Sequence, residues 1–125
     1  MTPALVAGIE PGNGIYWNHF SSVFANTILL STADLRLFAE RAGRPYEAGV
    51  GVLLVAALLV SVNDKLGYHD DTGCLFDYNG SRESLVTTIE RMHIDSQCLE
   101  KMTFDQRDAV TKMLATLKRF KRKPA

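Results

Sequence analysis

Apolar positions along this chain change period several times, and each change marks an element. Thr27, Ile28, Leu29 and Leu30 within "NTILLST" form a compact apolar run of strand length. Ser31 or Thr32 is placed to cap a short helix, "ADLRLFAERAG", over 33–43, with Gly43 closing it before Pro45. From 46 to 66 the pattern predicts one long helix. Between 50 and 60 it is apolar on nearly every side, so it belongs at the centre of the molecule. Gly49 and Gly51 each cost such a helix about 1 kcal/mol against Ala, and close packing on a neighbouring backbone explains them. Gly67 is suited to end it.

Asn79-Gly80 carries turn chemistry. Ser81 then caps a helix to about His93, with Leu85, Val86, Ile89 and Met92 on one face. After a break near Asp95, "QCLEKM" supplies a single helical turn. Thr103 and Gln106 have capping-box spacing, and Val110, Met113, Leu114 and Leu117 repeat at helical period to Phe120. Residues 15–24, "IYWNHFSSVF", fit strand or helix equally well. Residues 1–14, rich in Gly and Pro, read as an irregular arm. The sum is an α+β fold, predominantly helical: a central buried helix with two amphipathic helices and a small strand layer.

Composition narrows the class. The 125 residues fit a single domain over 1–125, and 46% apolar content is enough for a core. A formal net charge of zero gives no global attraction to nucleic acid or membrane. The charge is uneven, however: Lys118, Arg119, Lys121, Arg122 and Lys123 make 118–125 a basic tail. A solvated, frayed end is its plain reading, and it is the one stretch that suits phosphate or an acidic partner. "MTPALVAGIEPGNG" lacks the basic and apolar regions of a secretory signal. The apolar run at 49–62 is shorter than the roughly 20 residues a bilayer span needs. Two cysteines without an export signal point to a reducing cytoplasm, where thiols stay free or bind metal.

The densest candidate chemistry follows the apolar helix directly. His69 and Cys74 are five residues apart in a Gly-containing loop, and Cys98 lies at a second loop-to-helix junction. Asp95, three residues before Cys98, can supply an oxygen. His69, Cys74, Asp95 and Cys98 therefore make one four-ligand set for zinc, which prefers imidazole and thiolate, with Asp70 as a substitute member. The same cysteines also read as small buried hydrophobes, and His69 as a cap. Asp70, Asp71 and Asp77 suit a hard cation or simply a solvated loop. Tyr16, Trp17 and Phe20 read as core or as a binding patch. Ser31, Ser61 and Ser84 lack a nucleophile-elbow setting, and no glycine pair builds a phosphate loop.

"ILLSTADL", an apolar helix, "LGYHDDTGCLFD" and "HIDSQCLEKM" follow one another in an order that resembles the C-terminal half of the archaemetzincin-type zinc peptidases, over residues 26–102. In that family a helix carrying H-E-x-x-H runs to a Gly and a third His. A C-x4-C-x-M segment and a later C-x-x-C pair then complete a second, cysteine-bound zinc. The resemblance sets Gly67 and His69 at the Gly and third His, one residue too close. It sets Cys74-Leu75-Phe76 at C-x-M, with Phe76 in place of Met. Asp95-Ser96-Gln97-Cys98 falls at C-x-x-C with Asp95 for the first Cys, and Asp70 falls where another Cys would sit.

The defining motif is missing. Aligned on His69, the helix ligands would be Leu59 and Asn63 and the base Val60; aligned on Gly67, they would be Val60 and Asp64, with Ser61 as the base. Neither register offers a His pair or a Glu, which zinc hydrolysis needs to hold the metal and take a proton from its water. The resemblance thus implies a non-catalytic, metzincin-like pseudoenzyme: a cytoplasmic accessory or interaction domain with a protein partner, carrying one structural zinc. Two other classes stay open. One is a metal-dependent hydrolase with a non-standard centre at His69 and Asp70, joined by His19 or His93. The other is a metal-free helical scaffold.

Overall fold

The computed structural model describes residues 3–8, 15–18, 20–24 and 27–120. Its fold is α+β and mostly helical. The strands are β1 (Pro3–Gly8), β2 (Ile15–Trp17), β3 (Ser21–Phe24) and β4 (Thr27–Ser31). They form one antiparallel sheet in the order β1-β4-β3-β2. The helices are α1 (Leu35–Arg41), α2 (Tyr46–Val62), α3 (Leu85–Arg91), α4 (Ser96–Glu100) and α5 (Phe104–Lys118), with a 3₁₀ turn at Arg82–Ser84 before α3.

β4 shows why the sheet has an inside. Ile28 and Leu30 are buried while Leu29 between them is exposed, the period-2 alternation of a half-buried strand. Over 3–8, β1 stands where an irregular arm was expected; the rest of 1–14 lies outside the described residues. Pro3 opens it, pairing with Ser31, and a proline is tolerated at the first position of an edge strand because no ladder bond is lost there. Residues 15–24, ambiguous by period, supply β2 and β3.

α2 is the centre. It packs on β3, β4, α1, α3 and α5, and Val52, Leu53, Val55, Ala56, Ala57, Leu59 and Val60 are buried around its circumference. Its glycines meet neighbouring side chains closely, not the neighbouring backbone that was expected. A Cβ on Gly49 would lie 3.1 Å from Leu35 and 3.5 Å from Ile89, and one on Gly51 would lie 2.5 Å from Leu117. α2 stops at Val62 rather than 66, and Gly67 lies beyond it without capping it. The stop is Asn63, whose backbone is extended and whose amide Nδ2 donates to Lys101 O (2.8 Å) and Gln106 Oε1 (2.9 Å). That tie takes the chain away from the helix axis. Among the described residues no single helix is long and apolar enough to cross a membrane.

Other helix starts differ from expectation for nonlocal reasons. Ser31 does not cap α1: it is the last residue of β4, with its Oγ buried and unpartnered, and Asp34 occupies the cap position in a left-handed conformation. Ser81 makes no side-chain cap either, and the chain enters α3 through the 3₁₀ turn. At α5 the capping box is present in full, with Thr103 and Gln106 each bonding the other's backbone N–H. Lys118 ends α5, so the expected tail from 118 begins on helix; Lys121, Arg122 and Lys123 lie outside the described residues. Phe20 is core, set edge-on to Phe38 at 6.0 Å. The side chains of Tyr16 and Trp17, and all of His19, lie outside the described residues.

Candidate metal centre

The loop after α2 is held by its own polar groups. Asp77, buried, accepts from the backbone N–H groups of Thr72 (3.0 Å), Gly73 (2.9 Å) and Cys74 (3.1 Å). Gly73 can sit here because its φ is +87°, a conformation that L side chains rarely adopt. His69 pairs alongside, giving its N–H to Phe76 O and taking the N–H of Tyr78 on its carbonyl. Leu75 N donates to His93 O at 2.6 Å, which fastens the loop to the segment between α3 and α4. Cys74 is thereby placed beside α4, where Cys98 lies in the first turn.

One ring nitrogen of His69 and the sulfurs of Cys74 and Cys98 all lie within 4.8 Å of one another, a grouping that can hold a metal ion. The two Sγ atoms are 4.0 Å apart. In a tetrahedral zinc site with Zn–S of about 2.3 Å, two sulfurs sit about 3.8 Å apart, so the pair needs little movement. His69 Nδ1 lies 2.8 Å from the Asp70 carbonyl oxygen, and as a donor to that oxygen it leaves the lone pair on Nε2, the form in which imidazole binds metal. The Asp95 N–H points at Cys74 Sγ from 3.3 Å, a donor better used by a thiolate than by a thiol. Both sulfurs are buried. Burial pushes the Cys74 thiol up, and it pushes Cys98 to about 12, aided by the neighbouring Cys74. Without a cation these cysteines are therefore neutral thiols.

Asp95 stands outside the three-atom group. Its Oδ2 accepts from Thr72 Oγ1 at 2.6 Å and its Oδ1 meets His93 Nε2 at 3.1 Å. The Thr72 hydroxyl bond is the main reason that its carboxyl is held below the usual carboxylate range, and His69 and His93 add to it. Asp95 also raises both thiols electrostatically, but its carboxylate oxygens are not among the atoms that lie within 4.8 Å of one another. Asp70 is exposed and reaches His69 only through its carbonyl. Asp71 and Asp77 do not form a cation cup: Asp71 Oδ1 accepts the N–H of Asn79 at 2.6 Å, and Asp77 serves the loop.

Sequence reasoning missed Asp77 as the organiser of the loop and Thr72 and His93 as the partners of Asp95. Gly73 was the one local cue, since a Gly next to a cysteine marks a tight turn. In the register set on His69, the positions at which the peptidase resemblance would need its ligands and base are packed or engaged, whereas Asp64 of the other register is exposed. Leu59 and Val60 are buried, and Asn63 is bonded to Lys101 and Gln106. No protein-family model matches the sequence, and comparison with curated proteins and with solved structures gives no significant match.

Proposed function

We propose that this chain is a non-catalytic, metal-stabilised interaction domain of peptidase descent. In this reading one zinc is bound by His69, Cys74 and Cys98, and Asp95 swings from Thr72 and His93 to complete the set. The observation that carries it is the convergence of imidazole and two sulfurs, from segments 24 residues apart, within 4.8 Å. Such a staple closes a loop around α3, and structural zinc contributes folding energy directly. A non-catalytic role is favoured by the buried sulfurs and by Leu59, Val60 and Asn63, which stand where the resemblance would need the two helix ligands and the base. Thiolate ligation suits a reducing compartment such as the cytoplasm, and a protein partner suits a domain without a reaction to perform.

A metal-free scaffold is the second reading, favoured by the burial that keeps both thiols neutral. One experiment separates them: elemental analysis of protein purified without a histidine tag, wild type beside Cys74→Ser and Cys98→Ser. The zinc reading expects one equivalent of metal in the wild type, lost with either serine, and a lower melting temperature after chelation. A metal-free wild type that chelator does not destabilise rejects it.

A further inference from the structure

A second candidate site borders the metal centre at His93. The end of α3, the segment leading to α4, and α5 border an open cleft of about 240 Å³. At about 30 Å³ per water molecule, it has room for roughly eight waters or one small organic molecule. Its floor is apolar: Met92, Ile94 and Leu114 are buried there and Leu99 is half-buried. Its rim is basic, with Arg91, Lys118 and His93, and no acidic side chain lines it.

The surrounding bonds reinforce that asymmetry. Arg44 lies under the walls and donates to Ile89 O (3.0 Å), Glu90 O (2.8 Å) and Lys118 O (3.2 Å). This cross-link fixes α3 against the end of α5, so the cleft is built before any ligand arrives. Among the described residues neither Arg91 nor Lys118 is paired with a carboxylate, and the contact of Arg91 is a long 3.4 Å bond to the Thr72 carbonyl. His93 Nε2 lies 3.1 Å from Asp95 Oδ1. Arg91, whose head group rests against the Thr72–Gly73 loop, and Lys118 therefore line the cleft beside its apolar residues without a carboxylate partner.

We propose that this cleft binds a small carboxylate with a short apolar body. The guanidinium fork of Arg91 matches a carboxylate in two parallel bonds, Lys118 adds a second charge from α5, and the apolar body covers Met92, Ile94, Leu99 and Leu114. Pockets of this kind owe affinity to the apolar lining and orientation to a few placed polar groups.

The test is a titration of the full chain, followed by amide NMR, with hexanoate and separately with hexan-1-ol. Hexanoate should bind saturably at millimolar concentration and shift amides around 91–99 and 111–118. Hexanol should bind at least about tenfold more weakly. Arg91→Gln with Lys118→Gln should cost about tenfold in hexanoate affinity, with a well-dispersed spectrum retained. Thr111→Trp, at an exposed α5 position on the cleft wall, should block binding without changing charge. Equal binding of the alcohol, unsaturable shifts, or a Thr111→Trp protein that binds normally overturns the proposal.

Discussion

The Asp77 carboxylate is 2% exposed, and an ionised group that deep costs several kcal/mol unless its lone pairs are filled. They are filled here by the backbone N–H groups of Thr72, Gly73 and Cys74. Asp77→Asn keeps the shape but sets an amide NH₂ against a cradle of donors. One hydrogen bond to a charged group is worth about 1.5–3 kcal/mol, and the variant should lose at least that in urea unfolding at unchanged slope. Asp71→Asn is the control. Asp71 gives a single oxygen to Asn79 N from an exposed position, so its loss should be smaller. Equal losses in the two variants would mean that Asp77 is not what holds the His69–Cys74 loop.

Among the elements, α5 carries a tie that its own sequence half discloses. The Thr103–Gln106 capping box was legible because both halves lie within one turn. Gln106 Oε1 also accepts from Asn63 at the end of α2, and nothing local announces that. Thr103→Ala should cost about 1 kcal/mol, the ordinary worth of a cap. Gln106→Ala should cost more in the same denaturation experiment, because it removes the return bond to Thr103 N and one acceptor of the Asn63 amide together. The same division runs through the rest of the fold. α2, α5 and β4 show in their hydrophobic period, which is local. β1 does not, because Pro3 and Gly8 make a strand only when β4 is beside them. The cap at Ser31 fails because pairing with Pro3 draws that residue into the sheet. At the site, the spacing of His69, Cys74 and Cys98 made their meeting a reasonable guess. The partners of Asp95 depended on where Thr72 and His93 came to rest, which no spacing encodes.

For the whole molecule, the metal question becomes a question of pH. In the metal-free chain Cys98 is raised from 9.0 to about 12 by burial and Tyr68 from 10.0 to about 12 by burial, with Cys74 raised as well. A group whose folded pKa exceeds its unfolded one stabilises the fold fully below the unfolded value. That contribution is lost as pH climbs towards the folded value, because the unfolded chain gives up its protons first. The metal-free protein should therefore weaken progressively from pH 9.0 towards about 12. Asp95 acts at the other end: its lowered carboxyl stabilises the fold above 3.8, and that contribution is lost as pH falls further. Bound zinc changes the alkaline limb and adds an acid one. Thiolates held by a cation have no proton left to lose, so the cysteine share of the alkaline weakening disappears and only that of Tyr68 remains. Protons now compete with the metal for sulfur and imidazole, so the stability it supplies is lost on acidification well above the range of Asp95. Melting temperatures measured across pH, with zinc and with chelator, should therefore coincide at the acid end and separate as pH rises: zinc steepens the acid side and flattens the alkaline side. Superimposable curves would mean that zinc does not reach the two sulfurs.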